Sequence, residues 1–195
     1  GLPDAAWVER VAAASGIPAR ALAAYAGAAL LTAEVNPDCA IPWNTLAGLG
    51  AVESDHGRHA GSRIGPDGTA EPGIFGVALD GGGTDTVTDS DDGAIDGDAV
   101  HDRAVGPLQL IPESWRNWGY DGNGDGAVDP QNIDDAAVAA ANYLCRASRD
   151  AGAMTTEVGW RAGIDAYNSA GGYAEAVASA AIAAAEAATA EDPTD

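Results

Sequence analysis

Apolar residues recur at helical spacing in two blocks of this chain, separated by a stretch where that spacing breaks down. In the first block, "PDAAWVERVAAASG" opens with Pro and Asp and closes with Gly, the order of a short helix. "PARALAAYAGAALLTAEVNP" repeats the arrangement, opened by Pro18 and stopped by Asn36-Pro37. "PWNTLAGLGAVESDHG" predicts a third helix, with Pro42 near its first turn and Gly57 past its end. Residues 61–102 read differently. "GIFGVALDGGGTDTVTDSDDGAIDGD" is rich in Gly and Asp, with β-prone runs only at 75–79 and 86–88, which predicts loops and at most a small hairpin. Helical spacing returns in "PESWRNWG", in "DDAAVAAANYLCRASRDAG" with an Asp N-cap, in "TEVGWRAGIDAYNSAG" and in "GYAEAVASAAIAAAEAATAE". Trp115 and Trp118 are spaced to anchor a core. No internal repeat or linker divides the chain. The expectation is a single predominantly α, α+β domain over residues 1–189 with a cleft, and a frayed tail at 190–195.

Composition narrows the function classes. The 195 residues are 46% hydrophobic, enough for one well-buried domain. The net charge of −21 repels nucleic acid and anionic membranes, which excludes both as partners. No run is long and apolar enough to span a bilayer, so membrane insertion is not expected. The opening "GLPDAAW" reads as a trimmed start, compatible with a removed export signal. Two cysteines, Cys39 and Cys145, are either buried thiols or one disulfide. A disulfide is favoured, which points to an oxidising, exported location and closes a loop of 145 − 39 = 106 residues.

One carboxylate stands out. On a helix, Leu46, Leu49 and Glu53 fall at i, i+3 and i+7 and share a face, which places Glu53 at the end of an apolar stripe. Partial desolvation there raises a carboxyl pKa and keeps the group protonated near neutral pH, as a general acid requires. An ordinary helix-end glutamate fits the same spacing. A zinc cluster of Glu53, His56 and His59 does not, because Gly57 breaks the shared face and the HExxH order is absent.

A second motif, "DGNGDGAVDPQNIDD", begins like an EF-hand loop. Asp121, Asn123 and Asp125 stand at positions 1, 3 and 5, Gly126 supplies the turn, and Ala127 can offer its carbonyl. Position 12 is Asn132 in place of the usual glutamate. Tight Asn-Gly and Asp-Gly turns followed by a helix cap explain the same residues without an ion.

Three blocks in order carry a family resemblance: "IPWNTLAGLGAVESDHGRHAG", then "DRAVGPLQLIPESWRNWGYDGNGDGAVDPQNIDDAAVAAANYLC", then "AYNSAGGY". Together they span most of residues 39–173, the core of the domain. They resemble the lytic murein transglycosylases, closest to the membrane-bound lytic transglycosylase B family in its soluble actinobacterial branch. The resemblance implies a lysozyme-like fold of the goose-type lysozyme and transglycosylase kind, with a small β or loop region and an EF-hand-like loop. It implies non-hydrolytic cleavage of the β-1,4 MurNAc–GlcNAc bond of peptidoglycan, leaving 1,6-anhydroMurNAc ends, with Glu53 as acid and then base. A lysozyme-type muramidase and a non-catalytic wall-binding module are the alternatives.

Residue by residue, the resemblance implies substrate contacts for Ser54, Gln109, Tyr167, Asn168 and Tyr173, with Tyr167 bonding near the catalytic carboxylate. Leu108 and Leu110 stand where Met and Phe are commoner. Some members close a longer calcium loop with a carboxylate at position 15, here Asp135. The implied ligands are then Asp121, Asn123, Asp125, the Ala127 carbonyl and Asp135, for a structural Ca2+, with no cofactor for the chemistry. Cys39 and Cys145 are expected to pair and tie two helices together. The partner is the peptidoglycan glycan strand, the location secreted or cell-wall associated, and the state monomeric.

Overall fold

The computed structural model describes residues 2–83 and 85–190. The predicted frayed tail falls mostly on 191–195, outside the described residues. Three helices come first: α1 (Ala5–Ser15), α2 (Ala19–Val35) and α3 (Trp43–Ser54). The stops and starts are those the sequence encodes. The Asp4 carboxylate accepts the Trp7 amide at 2.8 Å to cap α1, and Gly16 ends it in the left-handed region at φ 74°.

Among the described residues, the middle of the chain holds four short strands in two antiparallel pairs. β1 (Arg63–Ile64) pairs with β2 (Ala70–Glu71), and β3 (Phe75–Ala78) pairs with β4 (Arg103–Val105). The run at 86–88 meets the end of β3, through the Val87 amide on the Leu79 carbonyl at 2.9 Å and a bridge from Asp80 to Thr86, and bridges from Thr88 to His101, while β4 is the strand that pairs with β3 itself. Four helices follow: α4 (Pro112–Trp118), α5 (Ile133–Ser148), α6 (Glu157–Tyr167) and α7 (Tyr173–Thr189). The cap of α5 is Asn132, whose side chain accepts the Asp134 amide, so the helix starts one residue before the predicted Asp cap.

One hydrophobic cluster runs from Val8 to Ala184 and takes side chains from every helix except α4. Its fully buried members include Tyr25, Leu46, Leu49, Leu108, Leu144 and Val177. A smaller cluster of Leu110, Trp115 and Ala139, with Trp118 packed against it, seats α4 on α5, so the two tryptophans do anchor a core. At its centre α3 lies close against α7. A Cβ at Gly48 would stand 2.6 Å from the Val177 carbonyl oxygen, so only glycine permits this approach. Cys39 and Cys145 form a disulfide with Cα atoms 5.3 Å apart. It joins the turn before α3 to α5, rather than helix to helix.

Candidate active site

Glu53 is the penultimate residue of α3. Leu46 and Leu49, on the same face, are completely buried, and the carboxylate emerges where that stripe meets the surface. The helix stops immediately afterwards, because Asp55, His56 and Gly57 all take positive φ (52°, 56° and 83°). Burial pushes the Glu53 carboxyl up to about 7, against the opposing pull of the Tyr173 hydroxyl. That hydroxyl donates to Glu53 Oε1 and is the carboxylate's one hydrogen-bond partner among the described residues. No second carboxylate contributes to the shift.

β4 runs into a turn over residues 106–110, which meets the end of α3 at Ser54. The Gln109 amide bonds the Gly106 carbonyl at 3.2 Å, and the Val105 amide bonds the Leu110 carbonyl at 2.9 Å. Gln109 sits at φ 51°, an unfavourable conformation for a non-glycine residue. Its Nε2 donates to the Gly106 carbonyl at 2.9 Å, and its Oε1 lies over Gly76, where a Cβ would come within 2.9 Å. The strained turn is held from two sides. Ser54 Oγ donates to the Pro107 carbonyl at 2.6 Å, and Tyr167 Oη donates to the Leu108 carbonyl at 2.6 Å.

These bonds redistribute the expected roles. Ser54, expected to contact substrate, is 2% exposed. Its oxygen also accepts the Gly57 amide at 2.8 Å, so the hydroxyl is fully engaged by the chain and faces no sugar. Tyr167 was expected to bond near the carboxylate. Burial raises its pKa and the Glu53 charge does help to raise it further. Its hydroxyl bonds the Leu108 carbonyl, with Tyr143 packed edge-on against it at 5.3 Å, while Tyr173 makes the direct bond to Glu53. The cause is the chain reversal at Gly172, φ 83°, which puts Tyr173 at the start of α7 facing α3. Asn168 is exposed, and its Oδ1 accepts the Ala170 amide, which leaves its NH2 group to face solvent. Gln109, Leu110, Ile111, Ser114, Tyr143 and Tyr167 line a hollow of about 200 Å³ beside the turn.

His56 escaped the sequence reading except as a metal ligand. It is buried, its Nδ1 lies 3.3 Å from Tyr25 Oη, and burial pushes its pKa down to about 4. The ring is therefore neutral and supports the helix end. His59 is exposed.

The loop after α4 has the donor set of a hard-cation site. Asp121 accepts the amides of Gly124 and Gly126 at 2.7 and 2.9 Å, and Asp125 accepts that of Ala127 at 2.7 Å. Asn123 Nδ2 donates to Asp125 Oδ2, and Ala127 is exposed on the loop. Asn132 turns away to cap α5, whereas Asp135, 1% exposed, points back into the loop and accepts the Gly122 and Asp129 amides. The carboxylates of Asp121, Asp125 and Asp135 do not gather within 4.8 Å of one another among the described residues, so the calcium reading of this loop rests on its oxygen-bearing residues and their spacing.

A mostly helical domain with small antiparallel β pairs, in which one half-buried glutamate ends an apolar stripe, has the lysozyme-like fold of lytic transglycosylases. Residues 101–192, just under half of the chain, match the family described as "Transglycosylase SLT domain". The matched segment contains Gln109, Tyr167, Asn168 and Tyr173, and Glu53 lies before it. Two solved structures are similar. SltB3 from Pseudomonas aeruginosa in complex with NAG-anhNAM-pentapeptide is 16% identical, with a TM-score of 0.50 over 99% of this chain and 75% of that one. The Escherichia coli lytic transglycosylase Slt35 in complex with bulgecin A is 15% identical, with a TM-score of 0.49 over 96% of this chain and 81% of that one. The likeness to SltB3 is one of fold. No curated protein matches the chain in sequence.

Proposed function

We propose that the chain is a peptidoglycan lytic transglycosylase in which Glu53 carries both proton transfers. Protonated Glu53 gives its proton to the glycosidic oxygen between MurNAc and GlcNAc. The resulting carboxylate takes the proton of the MurNAc C6 hydroxyl as that oxygen closes on C1, leaving a 1,6-anhydro end and consuming no water. The observation that carries this reading is a single desolvated carboxyl, pushed up to about 7, with a tyrosine hydroxyl as its one partner and no second carboxylate among its perturbers. A two-carboxylate glycosidase needs a nucleophile or base across the bond, which Glu53 alone does not supply. In this reading Gln109 and the Asn168 NH2 group bind sugar hydroxyl or N-acetyl groups. Tyr173 is a positioning residue for Glu53, and Ser54 and Tyr167 position the Gln109 turn.

The test is mass spectrometry of purified peptidoglycan after digestion by the wild type and by Glu53→Gln. Fragments one water lighter than hydrolysed muropeptides, absent with the variant, support the proposal. Reducing ends would make the enzyme a muramidase, and no cleavage by either protein would make it a wall-binding module.

A calcium-class ion at Asp121, Asn123, Asp125, the Ala127 carbonyl and Asp135 would brace the loop against α5 and take no part in the chemistry. Calcium is expected to raise the melting temperature, and Asp125→Asn to shrink that rise. The disulfide and the acidic surface favour a monomer exported to the cell wall, where thiols stay oxidised. No helix of the described residues is long and apolar enough to cross a membrane.

A further inference from the structure

The acidic segment before β4 holds a feature that neither the cleft nor the loop at 121–135 uses. Asp89, Asp91 and Asp102 each present a carboxylate oxygen within 4.8 Å of the other two. Asp102 is completely buried, and its oxygens accept the Ser90 amide at 2.9 Å and the Ser90 hydroxyl at 2.8 Å. Asp89 accepts the amides of Asp92 and Gly93, both at 3.0 Å. Asp91 Oδ2 accepts the Ile95 amide at 2.7 Å. Asp91 Oδ1 is shut off from solvent and has no partner, the one buried side-chain polar atom of which this is true among the described residues.

None of the three carboxylates forms an ion pair among the described residues. The nearby cations are committed elsewhere: Arg103 pairs with Asp98, and Arg116 bonds the Ser90 carbonyl. Carboxylates gathered this closely repel one another unless something positive sits among them. A buried acceptor left unpaired beside two others points the same way.

We propose that Asp89, Asp91 and Asp102 form a second cation site, separate from the loop at 121–135, for a hard, oxygen-liganded ion of the calcium class. The donors are carboxylates without cysteine or histidine, which disfavours zinc. Water or backbone carbonyls complete the shell. The site has a structural consequence. Asp102 directly precedes β4, and β4 leads into the turn that carries Gln109. An ion there fastens the segment from 89 to 102 onto the strand that supports the cleft.

The experiment uses the full chain, stripped of metal, in an Asp121→Asn/Asp125→Asn background that silences the other loop. Calcium chloride is titrated calorimetrically in about 0.15 M KCl, which screens diffuse binding to the acidic surface. One saturable ion per chain is expected, with a Kd of roughly 10⁻⁵ to 10⁻³ M, and Asp91→Asn should weaken it at least about tenfold as a charged ligand is lost. Asp89→Asn serves as the second variant, and far-UV circular dichroism confirms that each variant folds. Independently, calcium should slow amide hydrogen exchange over residues 89–102 in the wild type and not in Asp91→Asn. The proposal is overturned if the background binds no saturable calcium, or if neither variant changes the affinity. It is equally overturned by an Asp91→Asn chain that is more stable and leaves calcium binding unaltered, which would place a shared proton, not an ion, among the carboxylates.

Discussion

Glu53 links the stability of the fold to its chemistry through one proton. Its carboxyl has an ordinary value of 4.5 in an open chain and about 7 in the folded one. Between those values the folded state binds the proton more tightly than the unfolded state. The resulting stability is fully present below the lower value and is lost as pH rises through the upper one, roughly 1–3 kcal/mol in all. Glu53→Gln carries no such charge. The variant should be inactive yet more stable than wild type above pH 7, with the difference vanishing toward pH 4, which thermal melts across that range would reveal. Wild-type activity should fall on the alkaline side as the acid form disappears. Tyr173→Phe removes the donor that favours the carboxylate. The alkaline limb should then move upward by about one unit while kcat/KM drops roughly ten- to hundred-fold. An unmoved limb in a pH–rate profile would reduce Tyr173 to packing. The position of Glu53 was legible because a lone carboxylate at the end of a fully apolar stripe is a local pattern. Which tyrosine reaches it was not legible, because that depends on the turn at Gly172 and on the approach of α7 to α3.

At the scale of elements, the site is a set of ties between α3, the 106–110 turn, α6 and α7. Ser54 both donates to Pro107 and accepts from Gly57. Ser54→Ala strands two buried backbone groups and should destabilise by about 1–3 kcal/mol. Denaturant unfolding would measure that loss, and a variant as stable as wild type would count against this account. Gly48 tests the other tie. Gly48→Val adds atoms where the Val177 carbonyl already lies, so it must push α7 from α3 and draw Tyr173 away from Glu53. A destabilisation of about 1–3 kcal/mol with a disproportionate loss of activity is expected, read by unfolding and turnover on the same sample. The seven helices were visible in the sequence because Pro, Asp and Gly punctuate their periodic runs. The pairing of β3 with β4 was hidden, because strands of four and three residues carry too little alternation to specify a partner across the intervening loop. The Asn132 cap was also missed, since a strong Asp pair beside it gave the same local signal.

For the molecule as a whole, the disulfide decides how much of the chain is free when the fold opens. Cys39 and Cys145 enclose a separation of 106 residues, and the closed segment carries Glu53, Gln109, the acidic segment and the loop at 121–135. Tyr167 and Tyr173 lie outside it, so the active site is assembled between the closed loop and the helices that follow. In the chain-entropy picture, a closure of this length withholds enough freedom from the unfolded state to stabilise the fold by about 4–5 kcal/mol. Among the described residues neither cysteine is hydrogen-bonded to a site residue; Cys39 bonds Asn36 and Met154, and Cys145 bonds Ser148. Reduction should therefore lower the melting temperature substantially while leaving turnover nearly unchanged at temperatures where the reduced chain is still folded. Paired melting and activity measurements, with and without reductant, separate the two effects. A thiol titration that found two free cysteines in the native, unreduced protein would remove the basis of the prediction. A loss of turnover in a reduced chain that remains folded would show instead that the bridge holds α3 in register with the rest of the cleft. Both outcomes are informative because the acidic surface cannot substitute for the bridge. A net charge of −21 opposes compaction, and the cross-link and the core must act against it.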